Sequence, residues 1–481
     1  MNALAAIVLS ALLPQDGKSG AATDDLTLYV AVDGDDAWSG LAKTSDGKGN
    51  GPMRSPQAAL RRLRELRTQD PKLRERTTYV RLLAGTWYLD APLEIGLEDS
   101  GSEEHRTFIV GTRAADGAGP DGAVSHPTTV LSGGRRITGW KKTTRLGVNL
   151  WAAELPDVDG RPWTFRELFV AGPDGRPGRR ARRARHPDQG YLAITGTTDA
   201  DAAKPWSEGV TRLRISPAEL AKMGSGGTAE LVLMSRWVES HCRIDAIDVN
   251  GGTVTLRDKT VFKPDPGDLF YVESLPSLNA PGEWWLDEKG RQVWYVPRPG
   301  EDPATTEIVA PRLATLLRIT GGDEPTRRVE HLGLSAIRFE CAEWWFPASD
   351  AEAARASGSA QAAIAVPAAI EAVNTHDVGF AQCEVVDCGT YGISFGRGCR
   401  ADFIVGSWLH ELGGGGVKIG ETVLPPTPDG ETAANLVRGC TVQDVGRIFH
   451  SAVGVWIGQS PDNRIQDNSI SNLYYTAISI G

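Results

Sequence analysis

One short phrase, returning four times near the C-terminus, restricts what this chain can fold into more than any other feature. Gly392-Ile-Ser-Phe-Gly396 is followed by Gly416-Val-Lys-Ile-Gly420, Gly454-Val-Trp-Ile-Gly458 and Ala477-Ile-Ser-Ile-Gly481. Their first residues stand 24, 38 and 23 positions apart, and removing the Pro/Thr/Gly-rich stretch Glu421 to Ala434 (14 residues) returns the long step to 24. A fixed period in the low twenties, carried by β-branched residues and glycine, marks a solenoid. Upstream of the phrases, Cys383, Ser407, Cys440 and Asn468 each begin a short run with an apolar residue in a common place: Val385, Leu409, Val442 and Ile470. Alternation of this kind suits strands with one buried face. A β-sandwich with evenly spaced strands is the plainer alternative, but sandwiches do not repeat residue types in register. The expected fold class is therefore all-β: a right-handed parallel β-helix, with an N-terminal helical cap and an inserted β-sandwich-like domain.

If successive repeats stack at the inter-strand distance of about 4.8 Å, matching positions form columns. One column holds Asp387, Glu411, Asp444 and Asn472. Three carboxylates in a row are costly unless water, a cation or a reaction uses them. Glycoside hydrolysis needs two carboxyl groups, about 5–5.5 Å apart for retention and about 6.5–9.5 Å for inversion. Neighbouring and alternate rungs offer both spacings, so Asp444 and Glu411 are candidates for the acid and the nucleophile or base, with Asp387 beside them. Repulsion between them would keep one protonated near neutral pH. The competing reading of each is a polar residue capping a strand's end.

Other candidates surround this column. Strand alternation turns His410 away from Glu411. His450 lies in Gly446-Arg-Ile-Phe-His-Ser-Ala-Val453, the turn that lengthens its repeat, where it can reach a cleft or simply face solvent. Tyr474 and Tyr475 are aromatic candidates for sugar contact. Trp344 and Trp345 precede an Ala/Ser-rich loop running to Pro367, and they either stack on sugar rings or pack beneath that loop.

The 481 residues carry 51 Lys+Arg against 61 Asp+Glu, a net charge of −10 that argues against a nucleic-acid partner. No apolar run reaches the length of a membrane span. Leu4 to Leu13 has the length of a secretory h-region, so residues 1–22 are expected to be a leader and the protein secreted or periplasmic. Six cysteines in so long a chain suggest buried thiols rather than a disulfide framework. The expected organisation continues with a cap and first coils at 23–133. An inserted domain follows at 134–305, where the repeat rhythm breaks, and coils resume at 306–481.

The N-terminal elements Tyr29-Val, Asp33-Gly-Asp, Gly51-Pro and Gln57-Ala-Ala-Leu60 resemble the cap of carbohydrate-active right-handed β-helix proteins. Phe169-Val-Ala-Gly172, Ala184-Arg-His-Pro187 and Pro281-Gly-Glu-Trp-Trp-Leu-Asp287 are similar to patterns of glycoside hydrolase family 141. That resemblance implies a domain inserted into a β-helix, and enzymes acting on plant cell-wall and pectic sugars, with α-fucosidase and xylanase activities among members. Arg185 and His186, inside the matched pattern, could meet an acidic sugar. The family continues through further coils, so the stop at Gly481 leaves the resemblance expecting an aspartate-bearing segment beyond it.

Two other classes stay open. A polysaccharide lyase on the same scaffold would use a base such as Lys418 or Arg397, and Ca²⁺ or arginine to neutralise a uronate. A non-catalytic carbohydrate-binding solenoid would need none of this chemistry. The hydrolase reading needs no cofactor and no metal. Its expected partner is a polysaccharide or oligosaccharide, and the oligomeric state is left open.

Overall fold

A computed structural model describes residues 25–114, 126–145, 147–158, 160–172, 179–223, 229–345 and 361–481. The expected leader at 1–22 and much of the loop after Trp345 lie outside these residues.

Three parallel sheets form the body, of eight, seven and seven strands. From Val329 onward the chain visits them in rotation. Val329–Ser335, Ile337–Glu340 and Ala368–Val373 are followed by Thr375–Ala381, Glu384–Cys388 and Tyr391–Phe395, and so on to Ile478–Ile480. Pairing is in register from repeat to repeat: Val385 faces Leu409, which faces Val442, which faces Ile470. These side chains enter one continuous apolar core with Leu131, Phe339, Ile393 and Val417. The small polar positions also pair across rungs. The Cys383 amide donates to Ser407 Oγ at 3.1 Å, and the Cys440 amide to Asn468 Oδ1 at 2.8 Å. All six cysteines are buried, and none forms a disulfide.

Near the N-terminus, the helix Pro56–Gln69 starts where Ser55 accepts the Ala58 amide and Pro56 occupies the first turn. It lays Ala59, Leu60 and Leu63 on the same core as Leu28 and Val30.

Between Gly134 and Pro311 the chain builds two further eight-stranded assemblies, with antiparallel pairing apart from the parallel contact of Arg179–Arg183 with Glu283–Asp287. The first has Trp151, Leu168, Trp284 and Tyr295 in its core; the second has Leu213, Leu231, Cys242 and Phe270.

These findings correct the expected fold class. The strand pairing resolves the chain into several separate sheets, and no closed helix or solenoid is shown among the described residues. The insert is likewise not one face-to-face sandwich, since its two assemblies have separate cores. The physical reason is that a repeat of about 24 residues specifies which strands pair in register. It does not specify how the sheets close around a core.

Candidate functional site

The acid column forms at the corner between the second and third parallel sheets. Register carries it: His410 pairs with Val386 and Gln443, which sets Glu411 between Asp387 and Asp444. All four corner residues have positive φ: Asp387 53°, Glu411 51°, Asp444 54° and Asn472 56°. Asp and Asn enter this left-handed region more readily than Glu does. Glutamate at Glu411 shows that the turn is imposed by the strands on either side rather than chosen by the residue.

The acids meet different surroundings. Asp387 is 2% exposed, and one carboxyl oxygen has no hydrogen-bond partner among the described residues. Burial pushes it up to about 8 against the pull of Arg338, 3.6 Å away, and of Arg180, while Glu340 and Glu411 add to the rise. That shift favours the protonated form of Asp387 near neutral pH. Glu411 and Asp444 are more open, with side chains 36% and 20% exposed. Arg447 reaches both, pairing closely with Asp444 and lying 3.9 Å from Glu411, and Asn472 Nδ2 also donates to Asp444. A shared cation offsets the repulsion that the sequence leads one to expect.

Two clefts flank the corner. One, of about 570 Å³, has Asp387 and Glu340 among its walls, with Tyr88, Phe169 and Glu307. The other, of about 220 Å³, lies between the second inserted assembly and the corner, lined by Arg183, Arg185, Tyr271, Trp345, Arg447 and His450. A buried ion pair, Arg180 with Glu167, stands at the corner itself. Arg180 Nη2 donates to the carbonyls of Glu411 at 2.6 Å and Cys388 at 3.2 Å. At Gly389 a Cβ would come 2.1 Å from Glu167 Oε2, so a larger residue would displace that carboxyl group.

His450 reaches the smaller cleft. Its Nδ1 is 2.7 Å from Glu239 Oε2, and its ring sits edge-on to Tyr474 with centroids 4.5 Å apart. Burial alone would raise Glu239, but His450 and His241 hold it down to about 2. Arg185 lies 3.9 Å over the Tyr271 ring and donates to the carbonyls of Pro187 and Gly190. Trp345 lines the cleft, with Arg166 4.5 Å over its ring. Behind it, Arg166 pairs with Glu230 at 2.5 Å. Glu343 accepts the Arg166 amide at 2.7 Å, and burial pushes it up to about 8 against the nearby arginines.

The remaining candidates lie elsewhere. His410 bonds Glu384 at 2.9 Å and stacks on Trp408, on the outer face of the second parallel sheet, away from Glu411. Trp344 packs against the cluster of Tyr391 and Phe449. The Tyr475 hydroxyl accepts from Gln361 Nε2 at 3.1 Å, outside the cleft lining. His186 turns to Glu219 at 3.0 Å. Lys418 is pushed down to about 8 by burial, yet its Nζ donates to the carbonyls of Ile364 and Val366 and lies over Tyr391. The Arg397 amide donates to Glu421 Oε1 at 2.9 Å. Among the described residues no group of three or more His, Cys, Asp or Glu converges as a metal site.

Sequence reasoning missed Glu167, Arg180, Glu239, His241 and Arg447. Two of them carried a local signal: Arg447, three residues after Asp444, and Arg180, inside the arginine cluster Arg179 to His186. The arginine run from Arg179 is taken up largely in ion pairs, with Arg182 on Glu283 at 2.6 Å and Arg183 on Glu273.

No family model matches the chain, and no curated protein does. Among solved structures, one described as a glycoside hydrolase matches over 95% of this chain and 79% of its own, with a TM-score of 0.77 at 23% identity. A structure of XylC with xylose covers 95% of this chain and 60% of its own, with a TM-score of 0.46 at 12% identity. The fold is thus glycoside hydrolase-like, and at 23% identity the likeness is one of fold. The resemblance to family 141 is finer than these comparisons reach.

Proposed function

We propose that this chain is an exported, carbohydrate-active enzyme of glycosidase type, acting on plant cell-wall or pectic polysaccharide. The observation that carries the reading is the column itself. A buried Asp387, pushed up to about 8 by burial, stands one rung from the accessible Glu411, and Asp444 follows on the next rung. Rungs are about 4.8 Å apart, close to the separation of a retaining pair. In this reading Asp387 delivers a proton to the leaving oxygen and Glu411 acts as nucleophile or base. Arg447 pairs with Asp444 and lies 3.9 Å from Glu411, so it fixes both side chains beside the reacting sugar. The glycoside hydrolase-like fold supports the same class.

The lyase alternative is weaker, because the Lys418 ammonium is already taken by two carbonyls. The test is hydrolysis of a panel of 4-nitrophenyl glycosides, α-L-fucoside and β-D-xyloside among them, and of a pectin digest. The parent chain is compared with Asp387→Asn, Glu411→Gln and Asp444→Asn. Loss of turnover in the variants supports the column. Turnover undiminished in all three sinks it, and products with a new ultraviolet absorbance point to a lyase.

A further inference from the structure

Outside the clefts, the second inserted assembly leaves an open aromatic corner at the tip of one hairpin. Glu230–Ser235 and Val238–Asp248 are joined by Arg236 and Trp237, with Arg236 at φ 56°. Trp237 meets Trp206 and Phe262 at centroid distances of 6.0 and 5.7 Å, and Trp206 meets Phe262 at 5.3 Å. The interplanar angles are 62° to 66°, so the rings make a corner rather than a stack. The indoles remain 47% (Trp206) and 41% (Trp237) exposed. Among the described residues, neither indole N–H has a hydrogen-bond partner.

The strands that carry this corner also lead to the smaller cleft. Val232 pairs with Tyr271, which lines that cleft, and Met234 pairs with both Leu269 and Glu239. Glu239 holds His450 at 2.7 Å. Trp237 is two residues before Glu239, a separation of about 7 Å along a strand. The same face therefore runs from buried charge at Glu230, past Tyr271 and the 43%-exposed Leu269, to the exposed indoles. Beside the rings, Arg236 lies 5.1 Å over Trp206 and bonds Asp265 at 3.1 Å. This gives donors and acceptors at the edge of an apolar surface with little net charge. Such a surface fits the apolar face and hydroxyl rim of a neutral pyranose.

We propose that Trp206, Trp237 and Phe262 form an outer sugar subsite, where a neutral pyranose of an oligosaccharide stacks while the chain's next units enter the cleft at His450. The inference rests on the glycosidase reading for the class of ligand, and on the hairpin geometry for the place.

The experiment is affinity gel electrophoresis through soluble arabinoxylan and, separately, polygalacturonate. It is run on the full chain carrying Glu411→Gln so that neither polymer is cut. Arabinoxylan is expected to retard the parent, and Trp237→Ala or Trp206→Ala to weaken retardation about tenfold. Trp237→Phe should restore most of it, with melting temperatures unchanged. The subsite is overturned if arabinoxylan does not retard the parent, or if both alanine variants are retarded as strongly as the parent. Retardation through Trp237 in a chain that cleaves no glycoside would keep the subsite and sink the catalytic reading instead.

Discussion

Acids in the corner column and acids in the inserted sheets belong to the same residue types and live by different rules. Glu230, Glu239 and Glu283 of the insert are buried, and each is matched to a basic side chain: Arg166, His450 and Arg182. In the column, Glu411 and Asp444 remain accessible and share one arginine, while the buried Asp387 shares Arg338, 3.6 Å away, with Glu340 and Glu384. Matched and buried charge fixes geometry, since losing either partner strands the other in low dielectric. Acids that must share a cation hold it less firmly, and a shifted carboxyl group lining a cleft, as Asp387 does, is a candidate for proton exchange.

The strongest way to break this contrast is at the accessible acids. Glu411→Gln or Asp444→Asn should cut kcat/KM by about 10²–10⁴-fold with little change in melting temperature. Unaltered turnover would place both acids with the structural group. Arg180→Met comes next. It leaves Glu167 buried and unpaired, and urea unfolding should show a loss of about 3–5 kcal/mol, most of it recovered in Arg180→Met with Glu167→Leu. A single variant as stable as the parent would show that the corner does not depend on the pair.

Asp387 sharpens the comparison through pH. Its folded pKa, pushed up to about 8, lies above the ordinary value of about 3.9. Between those values the native state keeps a proton that the unfolded chain has released, so this group's contribution to stability falls as pH rises from about 4 to 8. Asp387→Asn should flatten that slope in thermal melts taken across the window, and an unchanged slope would refute it. The smallest effect is expected from Asn472→Ala. It removes one hydrogen bond to Asp444, worth about 0.5–1.5 kcal/mol, and a loss beyond that range would make Asn472 part of the insert's kind of network.

Much of the column was legible because strand register obeys local rules. A spacing of 24 residues and alternating apolar positions suffice to set Asp387, Glu411 and Asp444 side by side. The contacts that distinguish them were not legible. Glu239 and His450 are 211 residues apart, and Arg180 and Glu411 are 231 apart, with no periodicity linking either pair. His410 shows both sides of the matter. Alternation turned it from Glu411, yet its partner Glu384 became identifiable only in the assembled sheet.

By itself the sequence determined which strands pair, which residues share a column, and that the body is built of parallel β-strands. Tertiary structure decided how those strands divide into separate sheets, and therefore why the expected β-helix and sandwich were not the arrangement found. It also decided which acids are drowned in cations, which is shifted toward its protonated form, and which face open space. Pairing is set by backbone geometry repeated every rung, whereas a carboxyl group's proton and partners depend on whatever distant segment happens to be packed against it.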